Sequence, residues 1–318
     1  MLKYLIIPLS DDAVSFCHYC PGNMSKPITP ALLKDGIKWA MKENLSIQFV
    51  YPYSILSQDI LELIDEVDHI DIVPSNSTSL VHRENADIVV FDQWEEFKKF
   101  HFVCGQSYVI RTSLSDLLDN EPYFKTALTT ADRINVALAD IQNIGDNDMK
   151  KYNAFLSRLI QPILEEYKSG HQVQLNLLTD RLMLRDMNNC NAGYESITLA
   201  PDGKFYTCPA FYLSGFESIG DVNKGLNRKN EQLYKLSYAP ICRNCDAFQC
   251  KRCVWLNKNL THEINTPSHE QCVVSHMERN ASRNLLLAFR EIDPTFLHDV
   301  EIAHIDYLDP FEKLINKK

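Results

Sequence analysis

No apolar run in the 318-residue sequence approaches the length that crosses a bilayer; the longest, such as Tyr4-Leu5-Ile6-Ile7-Pro8-Leu9, are strand-sized. Met1-Leu2-Lys3 lead straight into that run, without the apolar core or small-residue cleavage site of a signal peptide. A cytoplasmic location and no membrane association are therefore expected. Glycine is scarce, ten residues in all, and no Gly-rich phosphate loop is present, which argues against nucleotide kinases. A Gly-x-Ser-x-Gly elbow and a His-Glu-x-x-His helix are also missing, and with them the α/β-hydrolase and zincin readings. Positive charge is short too: 32 Lys and Arg against 42 Asp and Glu leave a net charge of -10, so a general nucleic-acid binder is not expected.

What is present is an ordinary globular composition, 45% apolar and 23% charged, enough for one large domain and a smaller one. Up to about residue 180, apolar runs alternate with amphipathic stretches, the pattern of a parallel sheet with crossover helices. The strand candidates are Tyr4 to Leu9, Ile47 to Tyr51, Ile70 to Val73, Asp87 to Phe91, Tyr108 to Thr112, Ile134 to Ala139 and Val173 to Leu178. Helical stripes run through Leu33, Ile37, Ala40 and Met41, through Ile60, Leu61, Ile64 and Val67, and from Tyr152 to Tyr167, where Pro162 predicts a kink. Six or seven βα units fall short of the eight of a closed barrel and predict an α/β fold with a partial (β/α) barrel over residues 1–185. Residues 186–318 read differently: a hairpin through Ser196-Ile197-Thr198-Leu199 and Lys204-Phe205-Tyr206-Thr207 about a Pro201-Asp202-Gly203 turn, a cysteine-rich segment, then a helix from Glu270 to Arg290.

Ten cysteines without a secretion signal point to metal ligands or reactive thiols rather than disulfides. Seven of them, Cys190, Cys208, Cys242, Cys245, Cys250, Cys253 and Cys272, exceed one tetrahedral site and fall one short of two. Soft thiolates suit iron–sulfur clusters, four to a [4Fe-4S] core. Cys242, Cys245, Cys250 and Cys253 alone would also pass as a four-sulfur zinc knuckle, but that leaves three cysteines idle. A bland reading takes Cys190 or Cys208 as merely small buried apolar residues, since free cysteine is often buried, but seven unliganded cysteines are less expected than either metal.

The run Cys190, twelve residues, Gly203, four residues, Cys208, then Cys242-x2-Cys245-x4-Cys250-x2-Cys253 and a distant Cys272, resembles the SPASM domain of radical SAM peptide-modifying enzymes. The inner spacing departs from that family, which commonly has five and three residues where this chain has four and two. The resemblance implies two [4Fe-4S] clusters, one held by Cys190, Cys208 and Cys253 and the other by Cys242, Cys245, Cys250 and Cys272. The first set has three thiolates, so its fourth ligand is left to another residue, water or substrate.

In radical SAM enzymes the loop after the first strand carries Cys-x3-Cys-x-aromatic-Cys, which binds the cluster and S-adenosylmethionine. Here Ala13 stands at the first position, while Cys17, Tyr19 and Cys20 match the rest and are the cofactor-binding candidates. A Gly-Gly-Glu segment after the second strand is missing, replaced by Tyr51-Pro52-Tyr53-Ser54. With both marks lost, the usual reductive cleavage of S-adenosylmethionine is not expected. Cys17 and Cys20 are then a redox pair, partners of Asp11, Asp12, His18 or Cys104 in a cluster, or relics. His262, His269 and His276 read as loop or capping histidines rather than ligands, and Pro209 stands where sulfatase-maturating relatives have an acidic base.

The loss of the motif beside an intact SPASM pattern is similar to the CXXX-repeat peptide maturases. That resemblance implies an iron–sulfur protein acting in maturation of a ribosomally made, cysteine-rich peptide, without a complete S-adenosylmethionine-binding cluster. Its implied partners are the precursor peptide and an intact radical SAM enzyme or electron donor. The alternative is a non-catalytic peptide- or maturase-binding protein that uses the clusters, or zinc, structurally.

Overall fold

The computed structural model describes residues 2–77, 85–187 and 190–311. All seven apolar runs become strands: β1 (Tyr4–Pro8), β2 (Ser46–Val50), β3 (His69–Pro74), β4 (Ile88–Phe91), β5 (Ser107–Thr112), β6 (Arg133–Leu138) and β7 (Gln174–Leu175). Each pairs in parallel with the next. The last is far shorter than Val173 to Leu178, because side chains take over its ladder. The Asn176 amide accepts from Val136 N–H at 2.8 Å and donates to the Val136 carbonyl at 2.9 Å, and Thr179 Oγ1 accepts from Leu175 N–H at 2.7 Å.

Among the described residues, six helices accompany these strands: α1 (Pro30–Lys42), α2 (Gln58–Asp65), α3 (Trp94–Phe97), α4 (Leu114–Asp119), α5 (Glu121–Ala127) and α6 (Asp146–Ser169). Thr29 caps α1 by accepting from Leu32 N–H, and Pro30 supplies a first-turn residue with no donor to lose. Leu33, Ile37 and Ala40 are buried, whereas Met41 lies just past the buried stripe and is 66% exposed. α6 is one 24-residue helix through Pro162, and Gly170 ends it with a φ of 91°.

After α7 (Asp180–Met183) the chain returns to the same sheet. β8 (Ser196–Leu199) pairs in parallel with β1, and β9 (Lys204–Tyr206), β10 (Gly220–Asp221) and β11 (Gly225–Leu226) follow antiparallel, giving the order β11-β10-β9-β8-β1-β2-β3-β4-β5-β6-β7. Gly203 in the β8–β9 turn has a φ of 83°, open to glycine without strain. The fold is thus mixed α/β with a large, mostly parallel sheet. The described residues hold three further helices, α8 (Pro209–Leu213), α9 (Val254–Thr261) and α10 (His269–Ile292). α10 lies along α6, tied by Tyr152 Oη donating to buried Glu278 at 2.7 Å and by an edge-on Tyr167–Phe289 contact at 4.8 Å. Among the described residues no helix is long and apolar enough to cross a membrane.

Strand alternation splits the core. Leu5, Ile7, Phe49, Val89 and Ile110 meet the helices on one face. Ile6, Val50, Ile72, Val90, Val109 and Ala137 form the other face, and there Ala13 and Val14 of the loop after β1 join them.

Candidate metal centres

The loop after β1 turns inward and is held by three elements. Ser15 Oγ donates to the Tyr19 carbonyl at 2.6 Å, Arg111 Nε on β5 donates to the Cys17 carbonyl at 3.1 Å, and the His18 Nδ1 bonds the Leu138 carbonyl at 2.7 Å. Burial, with Lys251 nearby, lowers the His18 pKa to about 4, so the ring is neutral and its Nδ1 is the donor. Ala13 is buried against Val14, Val50 and their neighbours, in bridge contact with Pro52, an apolar seat rather than a ligand position.

Cys17 and Cys20 part ways. Cys20 is exposed and accepts from Arg111 Nη2 at 3.2 Å. Cys17 instead lines a cavity of about 410 Å³ together with Cys190, Cys208 and Cys253. Tyr19 lines the same cavity, buried and edge-on to Phe16 at 6.1 Å. Cys104, at the start of the turn before β5, is exposed and outside that lining. Asp11 and Asp12 accept from Tyr212 and Ser54 instead.

Every pair among Cys17, Cys190, Cys208 and Cys253 is close enough that ionising one thiol raises the pKa of another. Burial is the larger effect and pushes Cys17 up to about 11. Backbone N–H groups work the other way, from His18 to Cys17, Ala192 to Cys190, Phe211 to Cys208, and Leu256 and Trp255 to Cys253. Cys17, Cys208 and Cys253 are half-buried and Cys190 is exposed. All four thiols are shifted upward by desolvation and each faces an N–H that favours the thiolate, a combination matched to a bound metal, which deprotonates its sulfur ligands.

The remaining four form a second group. Cys242, Cys245, Cys250 and Cys272 likewise couple in every pair, with burial raising Cys242 to about 12 and Cys245 to about 11. Ala247 N–H donates to Cys245 Sγ and Arg252 N–H to Cys250 Sγ, both at 3.4 Å. The segment is clamped by Asp246, which accepts from Arg279 Nε and Nη2 of α10 at 3.0 and 2.6 Å and from Arg181 Nη2 of α7 at 3.4 Å. His276 is not a surface cap: it is buried on α10, with Nδ1 2.8 Å from the Cys272 carbonyl and Nε2 3.6 Å from Cys245 Sγ. His269 pairs with Asp309 at 2.6 Å, and His262 ends α9 in the left-handed region.

All ten cysteines are free of disulfides. Among the described residues no three His, Cys, Asp or Glu side chains converge tightly enough for a single metal ion. A zinc knuckle needs such convergence, whereas thiolates around a four-iron core bind separate irons and stand farther apart. Arg252 supplies an independent test of fit. It is 3% exposed; Nη2 donates to the Tyr234 carbonyl at 2.6 Å, Nη1 has no partner, and its charge couples to Cys190, Cys242 and Cys250. Its φ of 43° is the left-handed region, uncommon for a residue with a side chain. The groups that act on this buried cation are thiols, with no carboxylate among them, and a buried cation is stabilised by a nearby anion. A thiolate-ligated cluster on either side is one.

No protein-family model and no curated protein matches the sequence. Solved structures do. An anaerobic sulfatase-maturating enzyme, anSMEcpe with bound AdoMet, matches with a TM-score of 0.60 at 17% identity over 94% of this chain and 99% of that one. The same enzyme with AdoMet and the Cp18Cys peptide gives 0.61 at 14% identity over 94% and 100%. This chain has the fold of that radical SAM/SPASM maturase. Streptococcus suis SuiB bound to precursor peptide SuiA matches at a TM-score of 0.48 and 14% identity, over 86% of this chain and 76% of SuiB. On the maturase fold, the loop after β1 of this chain carries Ala13 into the core and Cys17 toward the C-terminal thiols.

Sequence spacing separates Cys17 from the others by more than 170 residues and gives no sign of their meeting. The Arg252 and Asp246 roles were also missed, although both charges lie inside the Cys242 to Cys253 segment.

Proposed function

We propose that this chain is an iron–sulfur protein that acts in maturation of a ribosomally made, cysteine-rich peptide, without a complete S-adenosylmethionine-binding cluster. The observation that carries the reading is the resolution of eight thiols into two mutually coupled sets of four, one of them lining the cavity of about 410 Å³. When bound, a [4Fe-4S] cluster supplies an electron-storing core at each set. Arg252 stabilises negative charge between the two sets, and the Asp246 clamp fixes the second set to α7 and α10.

The cavity is of the size that accepts a side chain or a short segment. Its lining mixes Phe16, Ile6 and Val109 with the Gln48 and Asn135 amides, which can serve a peptide backbone. The role proposed for it is to hold a peptide close to the first cluster for electron exchange. Anaerobic calorimetric titration with a synthetic peptide of Cys-x-x-x repeats tests this: saturable binding is expected to the wild-type chain, and at least tenfold weaker binding to a Gln48→Ala, Asn135→Ala variant that lacks the cavity amides. No binding to the wild-type chain, or equal binding to both chains, contradicts it.

The seating of Ala13 and Val14 in the apolar face favours a second reading, in which the chain holds a precursor peptide or a maturase and performs no chemistry of its own. Titration with S-adenosylmethionine separates this from a self-sufficient radical enzyme, since loss of one ligand thiol predicts no binding. Turnover of the peptide by reduced chain alone contradicts the second reading.

A further inference from the structure

We infer that Cys17 is the fourth protein ligand of the cluster held by Cys190, Cys208 and Cys253, so that a thiol from the loop after β1 closes a site built by the C-terminal third of the chain. This rests on the iron–sulfur reading proposed above and changes what the first cluster can do. With four protein thiolates no iron is left open, and the cluster serves electron transfer and anchoring rather than capture of a substrate sulfur.

The geometry is specific. Cys17 shares one cavity with the three others, while Cys20, three residues on, lies outside its lining on the exposed side of Arg111. The loop is committed to this direction by the Arg111, His18 and Ser15 bonds, which come from β5, β6 and the loop itself. The carboxylates around the cavity are engaged, Glu195 with Lys3, and the Gln48, Asn135 and Gln249 amides offer only hard oxygen donors. Asp180 pairs with Arg133 at 2.9 Å, and Ser196 Oγ donates to the Cys190 carbonyl at 3.4 Å. His18 is held through Nδ1 by the Leu138 carbonyl at 2.7 Å, and its imidazole is a harder donor than thiolate for an iron–sulfur core. Cys17 is therefore the best-matched group for the position that the seven C-terminal cysteines leave unfilled. Lys251, near both Cys17 and Cys190, offsets part of the negative charge that a fourth thiolate adds.

The test uses the full chain, isolated anaerobically, as wild type, Cys17→Ala and Cys20→Ala, with iron and sulfide analysis, Mössbauer and paramagnetic resonance spectra. Wild type and Cys20→Ala are expected to hold about eight irons per chain, and Cys17→Ala about seven, with an oxidised three-iron signal. A wild-type spectrum and iron count in Cys17→Ala overturn the inference while leaving the iron–sulfur reading intact. A wild-type chain without iron and sulfide sinks both. Should Cys17→Ala not fold, addition of imidazole or 2-mercaptoethanol to reduced wild type decides the matter. No change in either cluster's spectrum is expected, and a shift in one of them reveals an open iron and overturns the assignment.

Discussion

Arg279 grips Asp246 through two parallel hydrogen bonds, 3.0 and 2.6 Å, and so fastens the cysteine loop to the C-terminal helix. Arg279 is 1% exposed, and Arg181 on the same carboxylate is 3% exposed. Burial resists ionisation of Asp246, yet the two guanidiniums overcome it and hold the carboxyl below its usual range. Asp246→Asn strands two buried cations and is expected to cost about 2–4 kcal/mol, trimmed from the fully buried case because Asp246 is 38% exposed. Anaerobic urea unfolding measures it; an unchanged midpoint contradicts the clamp.

Glu278 behaves oppositely. Burial raises its pKa to about 7, while Tyr152 and Gln249 hydrogen bonds moderate the rise. The folded state therefore disfavours the charged form. Stability is unaffected by this group below the unfolded value near 4.3, falls as pH rises toward 7, and levels off above it, by on the order of a few kcal/mol. Glu278→Gln keeps an acceptor for Tyr152 and is expected to flatten that decline. Thermal unfolding from pH 5 to 8 checks the sign, and a parallel pair of curves refutes it.

Arg252 is expected to set the electronic balance of both centres. Arg252→Gln removes a buried positive charge beside anionic clusters, so reduction becomes harder and both midpoint potentials fall. A loss of about 1 kcal/mol corresponds to a shift on the order of tens of millivolts for a one-electron couple. Anaerobic potentiometric titration reads it. Unmoved potentials with full iron would remove Arg252 from its assigned place.

Restoring the lost cysteine should not restore a third cluster. Ala13→Cys fits a small, weakly polar group into the seat against Val14 and Val50. Cys17 faces the C-terminal thiols and Cys20 faces Arg111, so the three do not share a site. Iron is expected to stay at about eight per chain. A rise to twelve or so, with S-adenosylmethionine binding, contradicts the inward loop.

Much of the fold was legible because apolar runs and helical stripes respond to local periodicity. β1 to β6 and α10 formed within a residue or two of expectation. β7 was cut short by Asn176, whose side chain imitates the backbone, a substitution that periodicity cannot register. The attachment of β8 to β1 was hidden because strand order is a long-range choice. In the site, spacing revealed the tight pairs Cys242–Cys245 and Cys250–Cys253, but the approach of Cys17 depends on hydrogen bonds from Arg111 and Leu138, both over 90 residues away. His276 was misread because its burial is decided by α10 packing rather than by its neighbours in sequence.

The central claim is that eight thiols hold two iron–sulfur cores. Iron, zinc and acid-labile sulfide per chain, determined with Mössbauer spectra on anaerobically isolated wild type, test it most directly. The account predicts about eight irons and about eight sulfides, all in four-iron cores. Stoichiometric zinc without sulfide, or two iron sites of unlike nuclearity, would contradict it.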